Sequence, residues 1–91
     1  MSAQVIEETR KQIDQMDEQI LELVERRISL SGHIQRLRID SGGTRVEHAR
    51  ENFVIRRYRT RFGKSGASMI MAILELCRGR IAEGKQPAGC G

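Results

Sequence analysis

Tryptophan is absent from this chain, and its three aromatic residues, Phe53, Tyr58 and Phe62, are too few to build a core around rings. The interior must be aliphatic, drawn from Ile, Leu, Val and Met. Proline occurs once, at Pro87, so before it only glycine can interrupt a helix. Those glycines stand at 32, 42, 43, 63, 66 and 79, ahead of a Gly-rich end. Alternation of polar and apolar residues is missing as well, which excludes half-buried strands. No apolar run reaches the length of a membrane span, and the opening MSAQVIEETRKQ lacks the basic-then-apolar order of a secretion signal. A cytoplasmic location is therefore expected. The two cysteines, Cys77 in an apolar helical stretch and Cys90 in the tail, fit reduced thiols better than a disulfide framework.

The 91 residues make one domain, small for a self-sufficient core. From Ile6 to Ile39 apolar residues recur at steps of three and four, including Ile13, Met16, Ile20, Leu23, Leu30, Ile34 and Leu37. That is the pattern of one amphipathic helix, about 50 Å long at about 1.5 Å per residue. A compact domain of this size has a diameter near 30 Å, taken from a radius of gyration of about 12 Å. The helix should overhang its own domain, and a second copy is the simplest cover for its apolar stripe. Gly42 and Gly43 are expected to end it. A T-x-x-E capping box, Thr44 with Glu47, should open a second helix carrying Val46, Phe53, Val54 and Tyr58 and fading near Gly63. After a GKSG turn, a third helix should start near Ser65 or Ser68 and carry Ile70, Ile73, Leu74, Cys77 and Ile81. The expected fold is all-α, with three helices per chain in an intertwined homodimer. Residues 1–83 are expected to form the helical domain and 84–91 a loose tail.

The net charge of +4 suits an anionic partner, whether nucleic acid, a membrane surface or a small polycarboxylate. Arg27 and Arg38 are eleven residues apart, which returns them to within about 20° of one azimuth at an axial gap of about 16 Å. Two guanidinium groups so placed, with Ser31 and Ile34 on the same face, can converge on one anionic ligand. Arg10 lies seventeen residues before Arg27 and points about 100° away, so an antiparallel partner helix would have to bring it to that ligand. On the second helix, Glu47, Arg50, Glu51 and Val54 share one face, and ordinary capping, pairing and solvation explain those charges equally well. The basic run IRRYRTRFGK can be read as a phosphate-contacting surface or as a solvated helix face; no nucleic-acid-binding motif accompanies it. His33 and His48 have no partners at metal-ligand spacing. A phosphate-cradling Gly loop and a nucleophile elbow are both absent.

The stretches TRKQIDQMDEQILELVERR, SGGTRVEHARE and LCRGR together resemble the chorismate mutases of the all-helical AroQ type, and most closely their short actinobacterial (delta) subclass. The resemblance runs from residue 9 to about 81. It implies rearrangement of chorismate to prephenate in the shikimate pathway, towards phenylalanine and tyrosine, by a homodimer whose two sites each borrow an arginine from the other chain. Carried over by position, Arg10 of one subunit and Arg27 of the other would clamp the substrate carboxylates. Arg38 would be the cation near the ether oxygen, and Arg78 falls where relatives place a second group close to it. Glu51 would accept a hydrogen bond from the C4 hydroxyl, Arg50 would help position Glu51, and Val54 and Leu74 would line the pocket. Glu47 stands where some members of the wider family carry Asp and members of the short subclass a small apolar residue, and cap and pocket make competing claims on it. The subclass also implies an activating complex with deoxy-arabino-heptulosonate-phosphate (DAHP) synthase, although the extension IAEGKQPAGCG departs from its usual C-terminus.

These residue types suit the implied chemistry. A Claisen rearrangement is unimolecular and pericyclic, so it requires no nucleophile, base, metal or cofactor. A protein can hold the reactive conformer and stabilise charge developing on the ether oxygen, and fixed guanidinium groups do both. Two other functions remain compatible with the sequence: a mutase acting on 4-amino-4-deoxychorismate, and a basic helical module that binds nucleic acid or an acidic protein.

Overall fold

The computed structural model describes residues 2–43 and 47–79. Two helices make up this part of the chain: α1, Ala3–Asp40, and α2, His48–Cys77. Ser2 caps α1, its side chain accepting from the Val5 amide at 3.2 Å. At the other end Gly43 N–H donates to the Arg38 carbonyl at 2.7 Å and Gly42 N–H to that of Ile39 at 2.9 Å. With Gly42 at φ 87°, this is a Schellman closure, which needs a glycine at that position. The expected stop at Gly42-Gly43 is where α1 ends.

The expectation of three helices is corrected to two. The described residues assigned to a second and third helix belong to one element, α2, which bends at Gly63, and Val46 of the expected second helix lies outside the described residues. A single residue at φ 65°, ψ −145° absorbs the change of direction, in a region of backbone space reserved for glycine. Gly66 then passes so close to the preceding segment that an added Cβ would lie 2.2 Å from the Tyr58 carbonyl oxygen. The bend and this close approach bring the two ends of α2 together. Val54 on one side of Gly63 packs against Ile70 and Leu74 on the other, with Ile55, Tyr58 and Ile73 around them.

The capping box is corrected too. Glu47 occupies the N-cap of α2 rather than its first turn, and its side chain makes no capping bond. Thr44, the other half of the box, lies outside the described residues, as do Ile81 and the tail of residues 84–91.

The described chain measures 60 × 31 × 20 Å. Its long dimension is that of α1, whose 38 residues span about 57 Å at about 1.5 Å each. No residue of α1 is buried, and Ile13, Met16, Ile20, Leu21 and Leu23 are each at least half exposed. No helix among the described residues is long and apolar enough to cross a membrane.

Candidate active site

A cavity of about 310 Å³ opens between the C-terminal half of α1 and the two ends of α2. Helical spacing places Arg27, Ser31, Ile34 and Arg38 on its α1 wall. The start of α2 contributes Glu47, Arg50, Glu51 and Val54, and its end contributes Leu74, Cys77 and Arg78. The bend at Gly63 is what makes the two ends opposite walls of one cavity. Every site residue expected from the sequence lines it except Arg10. Arg10 lies about 26 Å along α1 from Arg27, beyond the reach of any side chain.

The charges are organised in pairs. Glu51 is the more enclosed carboxylate, its side chain 18% exposed, and Arg78 meets it with Nε at 3.2 Å and Nη2 at 2.5 Å. A two-point fork of this kind fixes both partners. Its hydrogen bond, reinforced by the charges of Glu51 and Glu75, raises the Arg78 guanidinium above its ordinary value against a smaller opposing effect of burial. Arg38 Nη2 meets Glu47 at 3.3 Å in a looser pair whose carboxylate is 59% exposed. Arg50 does not share in the Glu51 fork; its guanidinium lies 5.4 Å from the centre of the Phe53 ring. Four arginines and two glutamates line the cavity, leaving it two positive charges in excess.

Two further residues, Gln35 and Cys77, were not expected in the site from the sequence. Gln35 donates from Nε2 to the Cys77 carbonyl at 2.9 Å, and Arg27 donates from Nη1 to the Cys77 sulfur, also at 2.9 Å. Gln35 follows Ser31 by four residues and precedes Arg38 by three, so helical spacing could have put it on the arginine face. Cys77 carries no such signal, since it reads as one more apolar position of α2.

A second groove, of about 520 Å³, shares Arg27, Arg50 and Val54 with the cavity and extends over Arg57, Tyr58, Arg61 and Phe62. Part of the basic run IRRYRTRFGK therefore faces the rim of the arginine-lined cavity. Among the described residues, no three His, Cys, Asp or Glu side chains are grouped to hold a metal ion.

The sequence model of the family described as chorismate mutase type II matches residues 9–85. The chain is 41% identical over 76 residues to an intracellular chorismate mutase of Mycolicibacterium smegmatis, covering 84% of this chain and 73% of that protein. It is 43% identical over 76 residues to the intracellular chorismate mutase of Mycobacterium tuberculosis, covering 84% and 71% respectively. Among solved structures it is similar to a chain of a non-covalent complex of DAHP synthase and chorismate mutase from Corynebacterium glutamicum with a bound transition-state analogue. That match has a TM-score of 0.77 and 36% identity, covering 81% of this chain and 89% of the other. With the arginine-lined cavity in place between its helices, this chain belongs to the type II chorismate mutase family.

Proposed function

We infer that the cavity binds chorismate and that the chain is a chorismate mutase, an isomerase that converts chorismate to prephenate in aromatic amino acid biosynthesis. The observation that carries the inference is the charge of the cavity, two in excess, against a substrate with two carboxylates. Arg27 is the carboxylate clamp. Arg38 is the cation at the ether oxygen, with Arg78 as the second group there while it holds Glu51 for the C4 hydroxyl. Arg50 closes the cavity rim, and Val54 and Leu74 supply the apolar wall on which the ring packs. Glu47 serves the pocket, partnering Arg38 until an anionic substrate takes its place. A cation beside the breaking C–O bond acts most strongly where protein has replaced water, as under a filled cavity.

The working unit of this reading is a homodimer in which Arg10 of one chain completes the site of the other. Two features support it. α1 has no buried residue, and an apolar stripe of such length calls for a partner. Charge is also segregated along the chain. Residues 3–25 carry seven acidic side chains (Glu7, Glu8, Asp14, Asp17, Glu18, Glu22, Glu25) against Arg10 and Lys11, a net −5. Residues 48–64 carry Arg50, Arg56, Arg57, Arg59, Arg61 and Lys64 against Glu51, a net +5. An antiparallel second copy can lay its acidic half along the basic rim, which would deliver Arg10 to the cavity. The reading places the reaction in the cytoplasm, which the naming of its relatives as intracellular supports. A complex with DAHP synthase, as in the Corynebacterium glutamicum assembly, is a further partner of this reading.

The test is the loss of chorismate absorbance on adding purified protein, with prephenate as product, measured with and without a DAHP synthase. No turnover above background in either mixture would exclude the assignment. Competition between chorismate and 4-amino-4-deoxychorismate, compared as kcat/KM, identifies the preferred substrate.

A further inference from the structure

We propose that Gln35 and Cys77 are positioning residues of this site, a linked pair that aims the Arg27 guanidinium and seats the end of α2 that carries Arg78. The proposal rests on the reading of the cavity as a chorismate site.

Cys77 is the last residue of α2 and only 4% exposed. Two side chains of α1 reach it. Arg27 Nη1 donates to its sulfur and Gln35 Nε2 to its carbonyl oxygen, both at 2.9 Å. The last carbonyls of a helix have no intrahelical donor, so the Gln35 amide fills a vacancy that α2 creates by ending there. Its bond ties that end to α1 one residue before Arg78, whose fork onto Glu51 is thereby set at a fixed distance from the α1 wall.

The sulfur acts differently. Arg27 has a long side chain with many rotamers and must meet a carboxylate in one orientation. A thiol sulfur is a weak acceptor, so it can hold one N–H of the fork and set the plane while the other donors stay directed at the ligand. A carboxylate at this position would form a charge-assisted bond with Arg27 and compete with the substrate. A guanidinium already held in place loses less freedom when the substrate arrives, and that advantage appears in binding.

The expected signature is a split between KM and kcat. Cys77→Ala should raise KM about tenfold and leave kcat within about twofold, the pattern of lost uniform binding. Cys77→Ser, which restores an acceptor, should return KM towards the wild-type value. Gln35→Met, similar in length but without the amide, should raise KM in the same direction and also lower kcat, because it releases the end of α2 that carries Arg78. The double variant Gln35→Met/Cys77→Ala should fall short of the product of the single effects, as for residues in one network. A readout independent of turnover is the NMR order parameter of the Arg27 side-chain Nε–Hε group, which should be high in the wild type and in Cys77→Ser and low in Cys77→Ala. If the wild-type chain fails to turn over chorismate, the functional reading falls and the NMR comparison still decides the positioning role. Unchanged Arg27 order in Cys77→Ala, or a fall in Tm with KM unaltered, overturns the proposal. Should Cys77→Ala fail to fold, Arg27 order compared between wild type, Cys77→Ser and Gln35→Met decides it, with a loss confined to Gln35→Met expected and no loss in either overturning it.

Discussion

Arg78 and Glu51 are 27 residues apart in sequence and joined by two hydrogen bonds, from Nε at 3.2 Å and Nη2 at 2.5 Å. The fork closes one side of the cavity and depends on the bend at Gly63 between the two residues. In the proposed reading it would set both a carboxylate for a substrate hydroxyl and a cation for an ether oxygen, with each holding the other in place.

Arg78→Lys should separate the fork from its charge. A lysine keeps the cation but offers a point donor in place of a planar pair, so kcat should fall by about ten- to a hundredfold. The pH profile should change as well. Glu51 raises the Arg78 guanidinium above an already high value. Its linked contribution is fully present below the unfolded-state value and is lost only as pH rises through the still higher folded value, beyond any ordinary assay. Wild-type activity should therefore show no alkaline loss from this group, whereas the lysine variant should lose activity near or above about pH 10. Profiles of identical shape would remove Arg78 from the site.

Glu47 should act against the substrate. Its carboxylate pairs with Arg38 at 3.3 Å but is largely exposed, so the pair is worth at most about 1 kcal/mol. Glu47→Ala should leave Tm nearly unchanged and lower KM by up to about fivefold, because an anionic ligand no longer has to displace it. A rise in KM would instead show that Glu47 contacts the substrate.

The glycines of α2 should differ in cost. Gly63→Ala places a side chain at φ 65°, ψ −145°, a strain of about 1–3 kcal/mol, which is about 4–8 °C in Tm for each kcal/mol in a chain of this size. Gly66→Ala should cost more, since its Cβ would fall 2.2 Å from a backbone oxygen that cannot move without unwinding the bend. Both variants should lose activity along with Tm, because the bend is what brings Glu51 to Arg78. Equal melting temperatures for the two would contradict the geometry.

How much of this could be read beforehand differs from residue to residue. The extent of α1 was legible because its apolar spacing is regular and Gly42-Gly43 end it. Helical periodicity put Arg27 and Arg38 on one face and Arg50, Glu51 and Val54 on another, but only the family resemblance joined the two faces into one site. The count of helices was not legible. GKSG looks like a turn between separate helices, and only the backbone shows one glycine bending a single element. The fork between Arg78 and Glu51 was hidden for the same reason, as periodicity says nothing about which residues meet across a bend. Gln35 and Cys77 were missed because one of their bonds goes to a backbone carbonyl and the other to a sulfur, and neither leaves a pattern of charges.

Arg10 gives the sharpest test of the proposed dimer. It lies too far along α1 to serve its own chain's cavity, so it either has no part in catalysis or acts across the subunits. Arg10→Ala and Arg38→Ala should each be nearly inactive alone. When the two variants are unfolded together and refolded, half of the dimers should be mixed, and each mixed dimer should contain one site with both arginines intact. Activity should then recover to about a quarter of the wild-type value, as expected for a two-fold symmetric assembly with shared sites. Action within one chain predicts no recovery, since every site would still lack one arginine. Full activity of Arg10→Ala alone would remove it from the mechanism, and the acidic half of α1 would then need another explanation.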